Sequence, residues 1–250
     1  MKNTLVILAA LATGVAIAST MVESSNTFGL AEATGATGWK IISVPVTGYA
    51  GEGNISIAEI LQTSNLTAGD ELYTLAESGI YNRYTLNETK TEWTPAKAVS
   101  IDANGDAVST DTDSATTATI ARGQAFWLNT AATTVYLMGE ATTGNVGVKV
   151  VGQAVTGKWN LIGNSSMAND VKISSITGTK GDVLKLANGT CYVYGKDRGS
   201  VTCAWKRQVL DKDNNLTYES VSDDTDVIAV GQGFLFMSKA AEGTEIISEL

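Results

Sequence analysis

The sequence predicts an all-β, mainly antiparallel protein: two homologous β-sandwich or barrel-like domains, each with one short helix, behind an N-terminal signal peptide. Three observations predict this. Short runs rich in Thr, Val and Ile recur between Gly, Asn and Asp turns, the pattern of a sandwich or barrel. The chain repeats its own motifs in order across its two halves, as a tandem duplication does. One apolar run stands at the start and has the form of an export signal.

That first segment begins with Lys2 and continues as the apolar stretch Leu5 to Ala18. Ala16-Ile17-Ala18 supplies the small-x-small pattern of signal-peptidase cleavage, so residues 1–18 are expected to be removed after Ala18. The stretch is short for a membrane span of about 20 residues, and no later run is longer. The expected location is secreted, extracellular or cell-surface, with the periplasm as an alternative and no transmembrane span in the mature chain. Residues 19–25 form an N-terminal segment free to pair as a strand with a neighbouring subunit.

The duplication places one copy at residues 26–140 and the other at 145–250. Gly38-Trp39-Lys40-Ile41-Ile42-Ser43-Val44-Pro45 matches Lys158-Trp159-Asn160-Leu161-Ile162-Gly163-Asn164-Ser165. Ile57-Ala58-Glu59-Ile60 matches Ile173-Ser174-Ser175-Ile176, and Gly69-Asp70-Glu71-Leu72 matches Gly181-Asp182-Val183-Leu184. Gly123-Gln124-Ala125-Phe126 matches Gly231-Gln232-Gly233-Phe234. Each copy then reads as an opening strand, the Trp-led strand, one or two helical turns, a Gly-Asp turn into a strand, a hairpin, a second short strand pair, the Gly-Gln-x-Phe strand and a closing strand. Ile57, Ile60 and Leu61 carry helical spacing. Pro45 and Pro95 fall at strand ends, where a missing N–H costs least.

These motifs resemble the tandem "GWNLI(S/G)xP … GxGFW" repeats of secreted and surface proteins, common in the Planctomycetes–Verrucomicrobia–Lentisphaerae bacteria. Residues 38–45 and 158–165 carry the first motif, and 123–128 and 231–236 the last. Lys40 departs from the usual Asn, Ser165 from Pro and Leu235 from Trp. The resemblance implies a small extracellular β-domain and brings no catalytic residues with it.

Composition narrows the chemistry. The 250 residues include no His, 2 Cys, 17 Lys plus Arg and 26 Asp plus Glu, for a net charge of −9. Without histidine, Ser-His-Asp and Cys-His catalysis and histidine-ligated zinc are excluded. An acidic chain with scattered arginines does not suit nucleic acid, whose phosphates need clustered Lys and Arg. Cys191 and Cys203 flank a hairpin that would face them across a turn centred on Asp197, which predicts a disulfide against the alternative of free thiols. Asp102, Asn104 and Asp106, and in the second copy Asp211, Asp213 and Asn215, have the alternate-oxygen spacing of a calcium loop. The plainer reading is a hairpin turn, since Asn104-Gly105 is a strong turn signal. No other cofactor is expected.

Tyr192 and Tyr194 share one strand face and are the residues singled out for a ligand platform. Trp39 and Trp159 read instead as core residues at equivalent motif positions. Asp223, Asp224 and Asp226 cluster, as do Asp111 and Asp113, in Ser/Thr-rich loops that give no sign of a glycosidase pair. The leading expectation is a non-catalytic exported surface or extracellular-matrix protein with a structural, self-assembly or adhesion role. Its expected partners are other copies of itself, as a homo-oligomer or filament, or cell-envelope components. The alternative is a carbohydrate-binding module for extracellular polysaccharide; an enzyme is not expected.

Overall fold

The structure is a computed structural model that describes residues 17–21, 27–48, 53–75, 81–96, 98–101, 107–110, 115–141, 147–149, 159–196, 200–240 and 245–247. It is all-β and antiparallel. The first half contains β1 (Ile17–Met21), β2 (Thr27–Thr34), β3 (Gly38–Ser43), β4 (Asn54–Ser56), the single-turn helix α1 (Ile57–Ile60), β5 (Glu71–Leu75), β6 (Tyr81–Leu86), β7 (Trp93–Ala96), β8 (Ala98–Ile101), β9 (Ala107–Thr110), β10 (Thr119–Ala121), β11 (Ala125–Thr130) and β12 (Thr134–Glu140). The second half contains β13 (Gly147–Lys149), β14 (Asn160–Gly163), β15 (Val171–Lys172), a 3₁₀ turn (Ile173–Ser175), β16 (Val183–Leu186), β17 (Cys191–Lys196), β18 (Cys203–Leu210), β19 (Leu216–Ser220), β20 (Val227–Ile228), β21 (Gly233–Met237) and β22 (Glu245–Ile247). The expected cleavage point after Ala18 falls inside β1, which pairs with β2. No helix among the described residues is long and apolar enough to cross a membrane.

The two halves repeat one topology. The main sheet of the first runs β3-β11-β5-β6-β7, and that of the second runs β14-β21-β16-β17-β18-β19. Smaller pairs follow suit: β4 with β10 and β15 with β20, β2 with β12 and β13 with β22. The registers agree as well. Trp127 lies opposite Ile41 and Tyr73, and its counterpart Leu235 lies opposite Leu161 and Lys185. Tyr84 and Tyr192 sit opposite Leu72 and Leu184.

Period-two alternation decides what each main sheet buries. In the first half Ile42, Leu72, Tyr84, Leu86, Trp93, Phe126 and Leu128 share one face and pack against Val135 and Leu137 of β12, Ile55, Ile120, and Ile57 and Ile60 of the helix. In the second, Ile162, Leu184, Tyr192, Trp205, Phe234 and Phe236 pack with Val171, Ile173, Ile176 and Ile228. Burying each such side chain contributes about 1.5–3 kcal/mol. Trp93 and Trp205 are equivalent anchors. The Trp205 indole donates to the carbonyl of Ile176 at 2.8 Å, whereas Trp93 Nε1 is buried without a partner.

The repeated glycines mark turns. Gly123 and Gly231 hold φ of 84° and 77°, a left-handed conformation that costs glycine little. In each turn the following Gln folds back: Gln124 Oε1 accepts from Ala121 N at 2.9 Å, and Gln232 Oε1 from Ala229 N at 3.1 Å.

These same turns join the halves. Ser43 N donates to Gly231 O at 3.0 Å, and Gly163 N donates to Gly123 O at 2.8 Å. Ile42 bridges to Gln232, and Gln124 bridges to Ile162. Exchanging the halves exchanges the contacts, so the junction has the self-complementary form of an isologous interface. Ile41, Ala125 and Leu161 form its buried apolar centre, flanked by Leu75, Tyr81, Trp127, Ala187 and Leu235. The approach is close at glycine. A Cβ on Gly163 would lie 2.4 Å from Ser43 Cβ, and one on Gly233 would lie 2.6 Å from Ala125 Cβ.

One expectation fails in the second half. Cys191 and Cys203 are free thiols. Tyr192 pairs with Arg207 and Lys196 with Cys203, so the turn is longer on its β18 side than the symmetric reading about Asp197 assumed. Cys203 lies opposite Lys196, five positions along β17 from Cys191, or roughly 16 Å of strand at ~3.3 Å per residue. That is beyond the reach of a disulfide.

Candidate functional site

The tyrosine pair expected to form a platform lies on the core side of β17. Tyr192 is buried and donates its hydroxyl to Asp226 Oδ1 at 2.8 Å. Tyr194 packs edge-on against Trp205, with ring centroids 5.3 Å apart. The two do share a face, but it is the face turned inward. Burial first, and the Asp226 carboxylate second, push the Tyr192 hydroxyl far above its ordinary pKa. Asp226 is itself buried, and it also accepts from Ser222 N at 2.8 Å and Arg207 Nη1 at 3.3 Å. Its oxygens serve a structural knot that ties the β19–β20 loop to the sheet.

The other acidic candidates resolve separately. Asp223 is exposed and bonded to Ser174 Oγ and Lys172 Nζ. Asp211 Oδ1 accepts from the backbone N–H groups of Asp213 at 2.8 Å and Asn215 at 2.9 Å, and Oδ2 accepts from Asn215 Nδ2 at 3.2 Å. These bonds hold the Asp211 carboxyl below its usual range, the Asn215 backbone bond most of all. Asn214 takes the left-handed turn at φ 61°. Asp211, Asp213 and Asn215 therefore build an Asx-type hairpin turn. Asp102, Asn104 and Asp106, with Asp111 and Asp113, lie outside the described residues. Among the described residues, no three or more His, Cys, Asp or Glu side chains are grouped to hold a metal ion.

Two outward surfaces remain. The first is the side of the first main sheet opposite its core. Alternation places Trp39, Ile41, Glu71, Tyr73, Leu75, Tyr81, Arg83, Trp127 and Asn129 there. Its inner part is the junction centre already described. Its outer part is a cluster around Trp39, which is 49 % exposed. Trp39 meets Tyr73 edge-on at 5.3 Å and Trp127 at 6.2 Å between centroids. The Arg83 guanidinium lies 5.9 Å from the Tyr73 ring centroid and is ion-paired with Glu71. Asn129 lies across the ladder from both Trp39 and Glu71. Burial, reinforced by Glu71, raises the Tyr73 hydroxyl pKa, while Arg83 opposes the shift. The expectation that Trp39 is a core residue is corrected here: the strand buries Ile42 on one side and shows Trp39 on the other.

The second surface is the outer edge of the second main sheet. Leu210 and Leu216 face each other across β18 and β19, and Tyr218 follows beside Leu216 on the same face. They are 65 %, 55 % and 54 % exposed. β19 is the terminal strand of its sheet, and its Leu-Thr-Tyr-Glu-Ser sequence contains no proline. The outer strand of the first main sheet, β7, is the counterpart of β18 and carries Pro95.

Sequence reasoning missed Glu71, Tyr73, Arg83 and Asn129. The signal was present in the duplication. Their counterparts Val183, Lys185, Cys191 and Met237 are all of different chemistry, while Leu72 and Leu184, Tyr84 and Tyr192, and Phe126 and Phe234 on the buried face match. No protein-family model, curated protein or solved structure matches the chain.

Proposed function

We propose that the chain is a non-catalytic exported protein of the cell surface or extracellular matrix, with a structural and adhesive role exercised through self-association. The observation that carries this reading is the β19 edge. An outer strand presents unpaired backbone groups to any incoming strand, and proteins that must stay apart block such edges with proline, charge or a covering segment. Here Leu210, Leu216 and Tyr218 lie exposed beside an edge without proline, so backbone pairing and apolar burial can act together on a second copy.

The export motif ending at Ala18 and the resemblance to tandem repeats of secreted proteins support the same reading. Light scattering on the purified mature protein tests it. The wild type is expected to form multimers whose size rises with concentration. The double substitution Leu216→Lys with Tyr218→Lys is expected to leave monomers with an unchanged circular dichroism spectrum. A wild type that stays monomeric at every accessible concentration refutes the reading.

A further inference from the structure

We propose that the Trp39 cluster on the first half is a binding site for a neutral polysaccharide. It lies on a different sheet from the β19 edge and stands independently of the self-association reading.

The scaffold keeps the central ring in both halves, as Trp39 and Trp159, but does not require the side chains around Trp39. The second half keeps the same three ladders in the same register, yet holds Leu235 where the first has Trp127, Lys185 for Tyr73, Cys191 for Arg83, Val183 for Glu71 and Met237 for Asn129. Of the core positions alternating with them, Phe126 and Phe234, Leu72 and Leu184, and Tyr84 and Tyr192 are the same in both halves, while Leu128 and Phe236, and Thr74 and Leu186, differ but stay buried.

The set also has the right physical form. A pyranose ring has an apolar C–H face and a rim of hydroxyls, so it is recognised by an exposed aromatic ring bordered by planar donors and acceptors. Trp39 supplies the ring. Its edge-on contacts with Tyr73 and Trp127 fix the indole before any ligand arrives, which lowers the entropy lost on binding. The Arg83–Glu71 pair and Asn129 supply the polar rim. Because the arginine is already neutralised by Glu71, and the chain carries a net charge of −9, a polyanion is disfavoured. The match is to an uncharged chain of sugars.

Affinity electrophoresis through gels containing hydroxyethylcellulose, laminarin, galactomannan or dextran, with polygalacturonate as the acidic probe, tests the assignment. At least one neutral polymer is expected to retard the wild type. Trp39→Ala is expected to weaken that retention about ten-fold, the scale of one lost aromatic contact, and Trp39→Phe to restore part of it. Trp159→Ala, at the equivalent position of the second half, is expected to leave retention unchanged. Matching melting temperatures establish that each variant is folded. Absence of retardation by all four neutral polymers overturns the proposal. So does retention only by polygalacturonate, retention indifferent to Trp39→Ala, or equal loss in Trp159→Ala. The Leu216 and Tyr218 variants should bind the glycan normally, so failure of either proposal is distinguishable from failure of the other.

Discussion

Trp127 and Leu235 occupy the same place in two copies of one ladder, and around them the copies part company. On the inward face both sheets carry Tyr, Trp and Phe anchors at matched positions. On the outward face the first surrounds its tryptophan with aromatic and polar groups, and the second surrounds Trp159 with aliphatic groups, a lysine and a thiol. The difference separates what a β-scaffold needs from what it merely tolerates. Core packing is sensitive to changes of about one methylene, which suits the retention of the Tyr, Trp and Phe anchors in both halves. An outward face answers to whatever touches it, and here only one of the two has retained a clustered set of rings.

That comparison can be broken most forcefully at the junction. Gly163→Val would place side-chain atoms where a Cβ already meets Ser43 Cβ at 2.4 Å and Gln124 O at 2.7 Å. Overpacking against backbone at this level costs about 3 kcal/mol. The expected result is that a single calorimetric unfolding transition splits into two, one for each half. The mirror substitution Ser43→Gly removes a buried hydroxyl without a partner and should leave one transition.

The anchoring tryptophans give the next largest contrast. Trp205→Phe strands the carbonyl of Ile176 and should cost about 1–3 kcal/mol beyond the change in packing. Trp93→Phe removes an indole N–H that has no partner. Urea unfolding should therefore show a clearly larger fall in the single midpoint for Trp205→Phe than for Trp93→Phe.

A smaller contrast concerns Lys40, whose counterpart is Asn160. Its ammonium donates to Ala132 O, and burial lowers its pKa below 10.5 against the opposing pull of Asp70. The folded state therefore loses this proton at a lower pH than the unfolded state does. The contribution of the group to stability rises as pH climbs from the lowered value to 10.5. The stability advantage of Lys40→Asn over wild type should shrink across that alkaline interval in urea titrations.

The least effect is expected at Asp223, held below 3.8 chiefly by the Ser174 hydroxyl and also by Lys172. A depressed carboxylate stabilises above its unfolded value and loses that contribution as pH falls from 3.8 through its folded value. Asp223→Asn should flatten this acid limb slightly. Thermal melts between pH 2 and 5 would show it.

The duplication was legible because it rests on residues with few substitutes: glycines at positive φ, Gln side chains that close their own turns, and the tryptophans that lead β3 and β14. The succession of strands along the chain followed from the turns, whereas their order within each sheet came from the structure. Sidedness was harder to read. Cys191-Tyr-Val-Tyr194 is apolar at every position, so alternation showed that the tyrosines share a face without showing which one. Trp39 stands in β3, where Ile41 and Ile42 are both buried, one at the junction and one in the core, and that hid its exposure. The thiols were misplaced because hairpin register depends on turn geometry, and the sequence between them does not announce an asymmetric loop. The rim of Glu71, Arg83 and Asn129 comes from three separate strands, and only the ladder register unites it.

The junction turns also limit growth. Each half docks through its β3 or β14 border and its Gly-Gln turn onto the other's, and the contact closes on itself. A third repeat appended in the same manner would find both docking borders already covered. Any larger array must extend sideways from the outer strands, in units of two, with the Trp39 clusters carried at a spacing of one per pair rather than one per repeat.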